Sequence, residues 1–198
     1  MSRAIPMGAL VVSCQARADN PLHGSIFMAA MARAAEQGGA RGIRANGGGD
    51  IQAIRAVTDL PIIGLVKRWR DGESVTITPD AEAAREAAAA GADIVAIDAS
   101  FRPRPGPPAA ELIALVRREF GLAVLADVAT ETEGLAAAEA GADYVATTLS
   151  GYTADGPPGP DPDLNLVARL AGRLSVPVIA EGRLWTPEQV TAAFAAGA

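Results

Sequence analysis

The sequence predicts an α/β fold, a parallel-stranded (β/α) barrel of the TIM type. Three observations carry this. Short apolar runs of strand length alternate with Ala-rich helical segments, one unit every ~25–30 residues. A helix end, a glycine and a strand recur as "EQGGARGIRA" from Glu36, "AAGADIVAID" from Ala89 and "EAGADYVATT" from Glu139. Hydrophobic residues make up 49% of the chain and aromatics only 4%, so the core must be mostly Ala, Val, Leu and Ile. That composition suits parallel strands covered by small-residue helices.

Seven strands are expected, near 9–14, 41–45, 61–66, 93–98, 122–128, 143–149 and 176–181. Each is a short β-branched or apolar run bounded by Gly, Pro or a charged residue. Helices are expected near 24–37, 49–58, 79–90, 108–120, 132–140, 162–173 and 187–196. In "TPDAEAAREAAAAG", Thr78 reads as an N-cap, Pro79 as the first helical residue and Gly91 as the stop. "TPEQ" at 186–189 reads as a capping box, with Thr186 capping and Gln189 reaching back. Seven βα units are one short of a closed eight-stranded barrel, and "FAAGA" at 194–198 echoes the segments that introduce other strands. The expectation for residues 1–198 is therefore one (β/α)8-type domain lacking strand 8 and helix 8, with an open seven-stranded sheet as the alternative.

The chain has 198 residues, enough for one α/β domain, and its net charge of −6 argues against a nucleic-acid surface. No apolar run approaches the ~20 residues of a membrane span. The single Cys excludes an internal disulfide and points to a reducing, cytoplasmic setting. "MSRAIPMGALVVSCQ" reads as a first strand rather than a signal peptide. One His, one Cys and scattered carboxylates give no metal-ligand cluster.

Barrels of this class place their chemistry at the C-terminal ends of the strands. Those ends carry Cys14-Gln15, Arg44, Lys67, Asp98, Asp127, Thr147-Thr148 and Glu181. Lys67 stands out because it is the sole lysine among 17 basic residues. Arg serves wherever a plain cation is wanted, but Arg keeps its proton and cannot act as base or amine nucleophile, whereas a buried Lys can. To work near neutrality Lys67 needs a proton affinity lowered by burial or by cations, for which Arg44 and Arg68 are candidates. A snorkelling or ion-paired lysine is the bland reading.

Glu181, in "VPVIAEGR", ends the strand four away from that of Lys67, which is diametrically opposite in an eight-stranded barrel. Two such groups would approach a ligand from opposite faces, as an inversion at carbon requires; a one-base relay or a structural carboxylate are the alternatives. Asp127 suits sugar hydroxyls, orientation of Lys67, or a simple turn cap. Arg44 suits an anion or carbonyl, or a rim salt bridge. Gln15 offers a donor and an acceptor. "ANGGGD" at 45–50 is a weak phosphate-cradle signal, and "AEGR", ahead of the "TPEQ" helix, a better-placed one. The Pro/Gly-rich loops 101–108 and 150–163 border the mouth, where Tyr152 could reach a ligand. His23 reads as a loop residue and Cys14 as a small buried hydrophobe.

"VVSCQ", "IRAN", "PIIGLVKRW", "ADIVAIDASFRPRP", "TTLSGYT" and "VIAEGRLWTPEQ" occur in this order. Together they closely resemble the N-acetylmannosamine-6-phosphate 2-epimerase family, from about residue 8 onward. The resemblance implies a phosphate-binding TIM barrel, a cytoplasmic homodimer without cofactor, and interconversion of N-acetylmannosamine 6-phosphate and N-acetylglucosamine 6-phosphate in sialic-acid catabolism. It implies catalytic roles for Lys67 and Glu181 and sugar contacts for Gln15, Arg44 and Asp127. Gly182 and Arg183 of "AEGR" fall at the phosphate end. Two further readings are open: a Schiff-base aldolase using Lys67, and an inactive barrel that only binds sugar phosphate.

Overall fold

The computed structural model describes residues 3–69, 75–153 and 158–198. Its main sheet has seven parallel strands: β1 (Val11–Cys14), β2 (Gly42–Asn46), β3 (Ile62–Leu65), β6 (Ile94–Asp98), β7 (Ala123–Asp127), β8 (Tyr144–Ala146) and β9 (Val178–Ile179). They pair in sequence order, each with the next, so every crossover is between neighbours. The sheet is an open half-barrel with β1 and β9 at its edges. These edges flank an apolar groove lined by Val11, Tyr144, Val178, Val190 and Phe194. Strand 176–181 is shorter than expected, with only Val178–Ile179 paired.

Helices α1 (Ser25–Gln37), α2 (Gly48–Arg55), α3 (Ala81–Ala89), α4 (Ala109–Leu115), α5 (Glu131–Glu139), α6 (Leu164–Ala171) and α7 (Pro187–Ala195) cover the outer face. The alternation of side chains along each strand sorts the core into two populations. Ile43, Ala45, Val95, Ile97, Val124 and Val145 pack outward against helices. Ile63, Leu65, Ile94, Ala96, Leu125, Ala146 and Ile179 form a separate inner cluster. Continuing the inner phase by two residues beyond that cluster places Lys67, Asp98, Asp127, Thr148 and Glu181 above it, at the C-terminal mouth. Packing on the outer face, between sheet and helices, is tight. A Cβ on Gly64 would stand 2.6 Å from Ala92 Cβ and 3.0 Å from Ile51 Cδ1.

Three local features differ from expectation. Lys67 does not simply end β3; it opens a two-residue strand β4 (Lys67–Arg68) that pairs antiparallel with β5 (Thr76–Ile77). Thr78 does not cap α3. It sits in the left-handed region at φ 45° with its hydroxyl accepting from Val66 N–H, and Asp80 caps instead through Ala83 N–H. The segment after α4 closes in a π-helical turn, Val116–Phe120, stopped by Gly121 at φ 64°. The capping box at Thr186 and Gln189 is present.

Candidate active site

A cavity of about 790 Å3 opens over the mouth of the sheet, bordered by Gln15, Arg44, Lys67, Glu181, Gly182 and Arg183. Trp69, Tyr152 and Trp185 stand exposed around it. Asp127 lies beneath, fully buried, and reaches the site through its partners.

The floor is an ion network. Arg44 projects from β2 with its side chain only 3% exposed. Its two terminal nitrogens grip Asp127 in a fork, Nη1–Oδ1 at 3.1 Å and Nη2–Oδ2 at 2.8 Å. Its Nε stands 3.1 Å from Glu181 Oε1 in an ion pair but makes no hydrogen bond. Burial opposes the guanidinium's charge, yet Asp127 and then Glu181 outweigh it, so its proton is held more firmly than in water. The rim salt bridge named from the sequence is formed, and Arg44 also borders the cavity.

Thr147 and Thr148 follow β8 and serve Glu181 from two sides. Thr147 Oγ1 accepts from Glu181 N–H at 3.1 Å and donates to Glu181 C=O at 3.0 Å. Thr148 Oγ1 lies 2.5 Å from Asp127 Oδ1 and 3.1 Å from Glu181 Oε2. Burial first, and the Asp127 charge after it, push the Glu181 carboxyl above its ordinary value, against the pull of Arg44, of Lys67 and of the Thr148 hydroxyl where that donates to it.

Lys67 is half-buried and its backbone N–H donates to Asn46 Oδ1 at 2.8 Å. Among the described residues its ammonium nitrogen has no ion-pair or hydrogen-bond partner. Burial lowers its proton affinity, Arg44 lowers it further and Arg17 adds to this, while Glu181 and Asp127 partly offset them. Arg68, the other cation named from the sequence, is turned away and pairs with Glu86 at 3.0 Å. Arg17 and Asn46 were not anticipated, because their roles depend on loops and strands meeting across the mouth.

Gln15 donates from Nε2 to Ser13 Oγ at 2.8 Å, while its Oε1 is buried without a partner. Arg183 takes φ 58° after Gly182 at φ 104°, and its Nη1 donates to Gly159 C=O at 2.7 Å. The guanidinium also lies against Gly151, where a Cβ would come within 2.6 Å of Nη1. Arg183 thus borders the cavity while bracing the 150–163 loop, whose residues 154–157 lie outside the described residues. At "ANGGGD", the first N–H of α2, that of Gly48, is taken by Glu86 Oε1 at 2.9 Å. His23 is exposed, its Nδ1 3.1 Å from Ala16 C=O, and Cys14 is buried among outward-facing residues. No group of three or more His, Cys, Asp or Glu side chains suited to a metal ion occurs among the described residues.

Parallel strands with a lysine, a buried arginine and two carboxylates at their C-terminal ends define a β/α-barrel enzyme, and comparisons with known proteins narrow it to an isomerase. A protein-family model described as "Putative N-acetylmannosamine-6-phosphate epimerase" matches residues 28–198. The chain belongs to this N-acetylmannosamine-6-phosphate epimerase family. A curated relative from Caldanaerobacter subterraneus subsp. tengcongensis, named "Putative N-acetylmannosamine-6-phosphate 2-epimerase", is 46% identical over 191 residues, covering 96% of this chain and 81% of the relative. One from Cutibacterium acnes with the same name is 44% identical over 195 residues, covering 96% and 84%. The solved structure of the N-acetylmannosamine-6-phosphate 2-epimerase from Clostridium perfringens superposes with a TM-score of 0.92 at 42% identity, covering 96% of this chain and 83% of that one. A thiamine phosphate pyrophosphorylase from Pyrococcus furiosus shares the fold at a TM-score of 0.60 and 18% identity, over 94% of this chain and 80% of the other.

Proposed function

We propose that this chain interconverts N-acetylmannosamine 6-phosphate and N-acetylglucosamine 6-phosphate by moving the proton at C2, in sialic-acid catabolism. The observation that carries this reading is the pairing of Lys67 and Glu181 on one cavity with proton affinities displaced toward each other, the amine downward and the acid upward. Displacements in these directions lower the cost of moving a proton between the two groups.

In the open-chain sugar the C2 proton is α to the C1 carbonyl and can be removed as an enolate forms. Neutral Lys67 takes it from one face. Protonated Glu181 returns one to the opposite face, and C2 is inverted. The resulting lysine ammonium and the neighbouring Arg44 charge stabilise the enolate oxygen through space, since the terminal nitrogens of Arg44 are engaged by Asp127. Gln15, with an unpartnered amide oxygen, suits a sugar hydroxyl. Gly182 and Arg183 sit where the "AEGR" turn meets α7 and suit the phosphate end, which fixes position without entering the chemistry. Asp127 acts through Arg44. No cofactor enters this scheme.

The reading includes one β/α domain over residues 1–198 working as a cytoplasmic homodimer. No helix among the described residues is long and apolar enough to cross a membrane, and Ile26 and Phe27 expose apolar surface on α1 for self-association. Sedimentation tests the dimer. The chemistry is tested by NMR of substrate in D2O: deuterium enters C2 during turnover, and Lys67→Ala abolishes both exchange and turnover. Turnover without C2 labelling would defeat the proton-transfer mechanism. A neutral amine is equally fit to form an imine, so borohydride trapping with substrate separates an aldolase: a covalent adduct on Lys67 would favour it.

A further inference from the structure

Thr148 has a contact that hydrogen counting does not allow if both neighbouring carboxyls are ionised. Its oxygen lies 2.5 Å from Asp127 Oδ1 and 3.1 Å from Glu181 Oε2, and a hydroxyl carries one hydrogen. The shorter contact commits that hydrogen to Asp127, whose two oxygens also accept the Arg44 fork at 3.1 and 2.8 Å. The contact to Glu181 Oε2 is then oxygen against oxygen, and it is favourable only if the hydrogen comes from Glu181. The other Glu181 oxygen, Oε1, faces Arg44 Nε, so the acid proton is assigned to Oε2.

We propose that Thr148 is a positioning residue of the epimerisation, its hydroxyl donating to Asp127 and accepting from Glu181 Oε2 so that Glu181 is held as a carboxylic acid beside the cavity. This rests on the proposed function, in which Glu181 supplies a proton to C2. The charged groups that face the Glu181 carboxyl are Arg44 from β2, Lys67 from β4 and Asp127 from β7, with Arg183 two residues along its own turn. Thr147 completes the arrangement by holding the Glu181 backbone through both its N–H and its C=O. One threonine fixes where the residue starts, and the next fixes how its carboxyl ends. When Glu181 gives up its proton, the Thr148 hydroxyl has one hydrogen for two carboxylates. The acid form therefore enjoys one more hydrogen bond than the ionised form.

The test compares Thr148→Val, Thr148→Ala and Thr148→Ser with the unaltered chain, measuring kcat and KM for N-acetylmannosamine 6-phosphate between pH 5 and 10. In Thr148→Val and Thr148→Ala we expect kcat/KM to fall about tenfold, the value of one hydrogen bond, mostly in kcat, with KM within twofold. The basic limb of the pH profile moves to lower pH, because the acid form loses one bond more than the ionised form. Thr148→Ser restores both rate and limb. A basic limb that stays fixed or moves upward would overturn the proposal, as would a serine variant as impaired as the valine one. Circular dichroism and Tm identify any variant that fails to fold, leaving the other to decide. Absence of C2 exchange in the unaltered chain defeats the proposed function instead, so the two failures are distinguishable.

Discussion

Replacing Asp127 by Asn tests the ion network with a change of charge at nearly constant shape. Asp127 is fully buried and receives two guanidinium bonds and one hydroxyl bond. The Asn amide oxygen can keep one guanidinium bond, but its NH2 group then meets an Arg44 nitrogen donor to donor. Arg44 cannot shed its proton and is 3% exposed, so its charge is left to Glu181, itself 25% exposed, which must ionise to balance it once the Asp127 charge is gone. Breaking a buried pair from one side costs about 3–5 kcal/mol, and Glu181 returns part of it, leaving about 3 kcal/mol. For a domain of this size that is a fall in Tm of roughly 6–12 °C. Urea unfolding followed by circular dichroism at pH 7 reads the loss directly. The same variant removes the Asp127 charge that helps hold Glu181 protonated, so the basic limb of activity also moves down. A stability loss under about 1 kcal/mol would show the pair to be solvent-screened and refute the reasoning.

Lys67 should work against stability. Its folded proton affinity lies below its unfolded one, so the unfolded chain binds the proton more tightly. The resulting penalty is full below the folded value and is relieved as pH rises from there toward the model-peptide value of 10.5. Lys67→Met is therefore expected to raise Tm at pH 7 while abolishing turnover, with the gain vanishing above pH ~10.5; a lower Tm at pH 7 would contradict this. Gly64→Ala is expected to destabilise by ~1–3 kcal/mol in urea unfolding, because the new methyl would stand 2.6 Å from Ala92 Cβ inside packed core; an unchanged midpoint would show that the turn between α3 and β6 can yield.

The strands are legible because most of their residues on both faces are apolar and a polar group breaks the run at or near the C-terminal end. That same break marked Gln15, Arg44, Lys67, Asp127 and Glu181. Lys67 was conspicuous for a second reason, its being the sole lysine. What was not legible depended on partners distant in sequence. Thr78 followed by Pro79 carries a helix-start signature, but its hydroxyl is claimed by Val66 N–H and the backbone turns left-handed, so the cap moves to Asp80. The β4–β5 pair is too short for any periodicity to register. Arg44 could equally have met a ligand or a carboxylate, and only the fold brings it the 83 positions to Asp127. Thr148 was visible as a strand-end polar residue, yet nothing local shows that two carboxyls converge on one hydroxyl.

The two-residue alternation along each strand has an evolutionary corollary. On β2, Arg44 serves the mouth while Ile43 and Ala45 on either side serve the helical shell. Substrate preference can therefore drift by point changes on one parity without touching the shell on the other. Length is a different matter: deleting a single residue before Arg44 would turn the guanidinium into the helix layer and leave Ala45 in its place at the reaction chamber. Such strands can be rewritten letter by letter but not respaced.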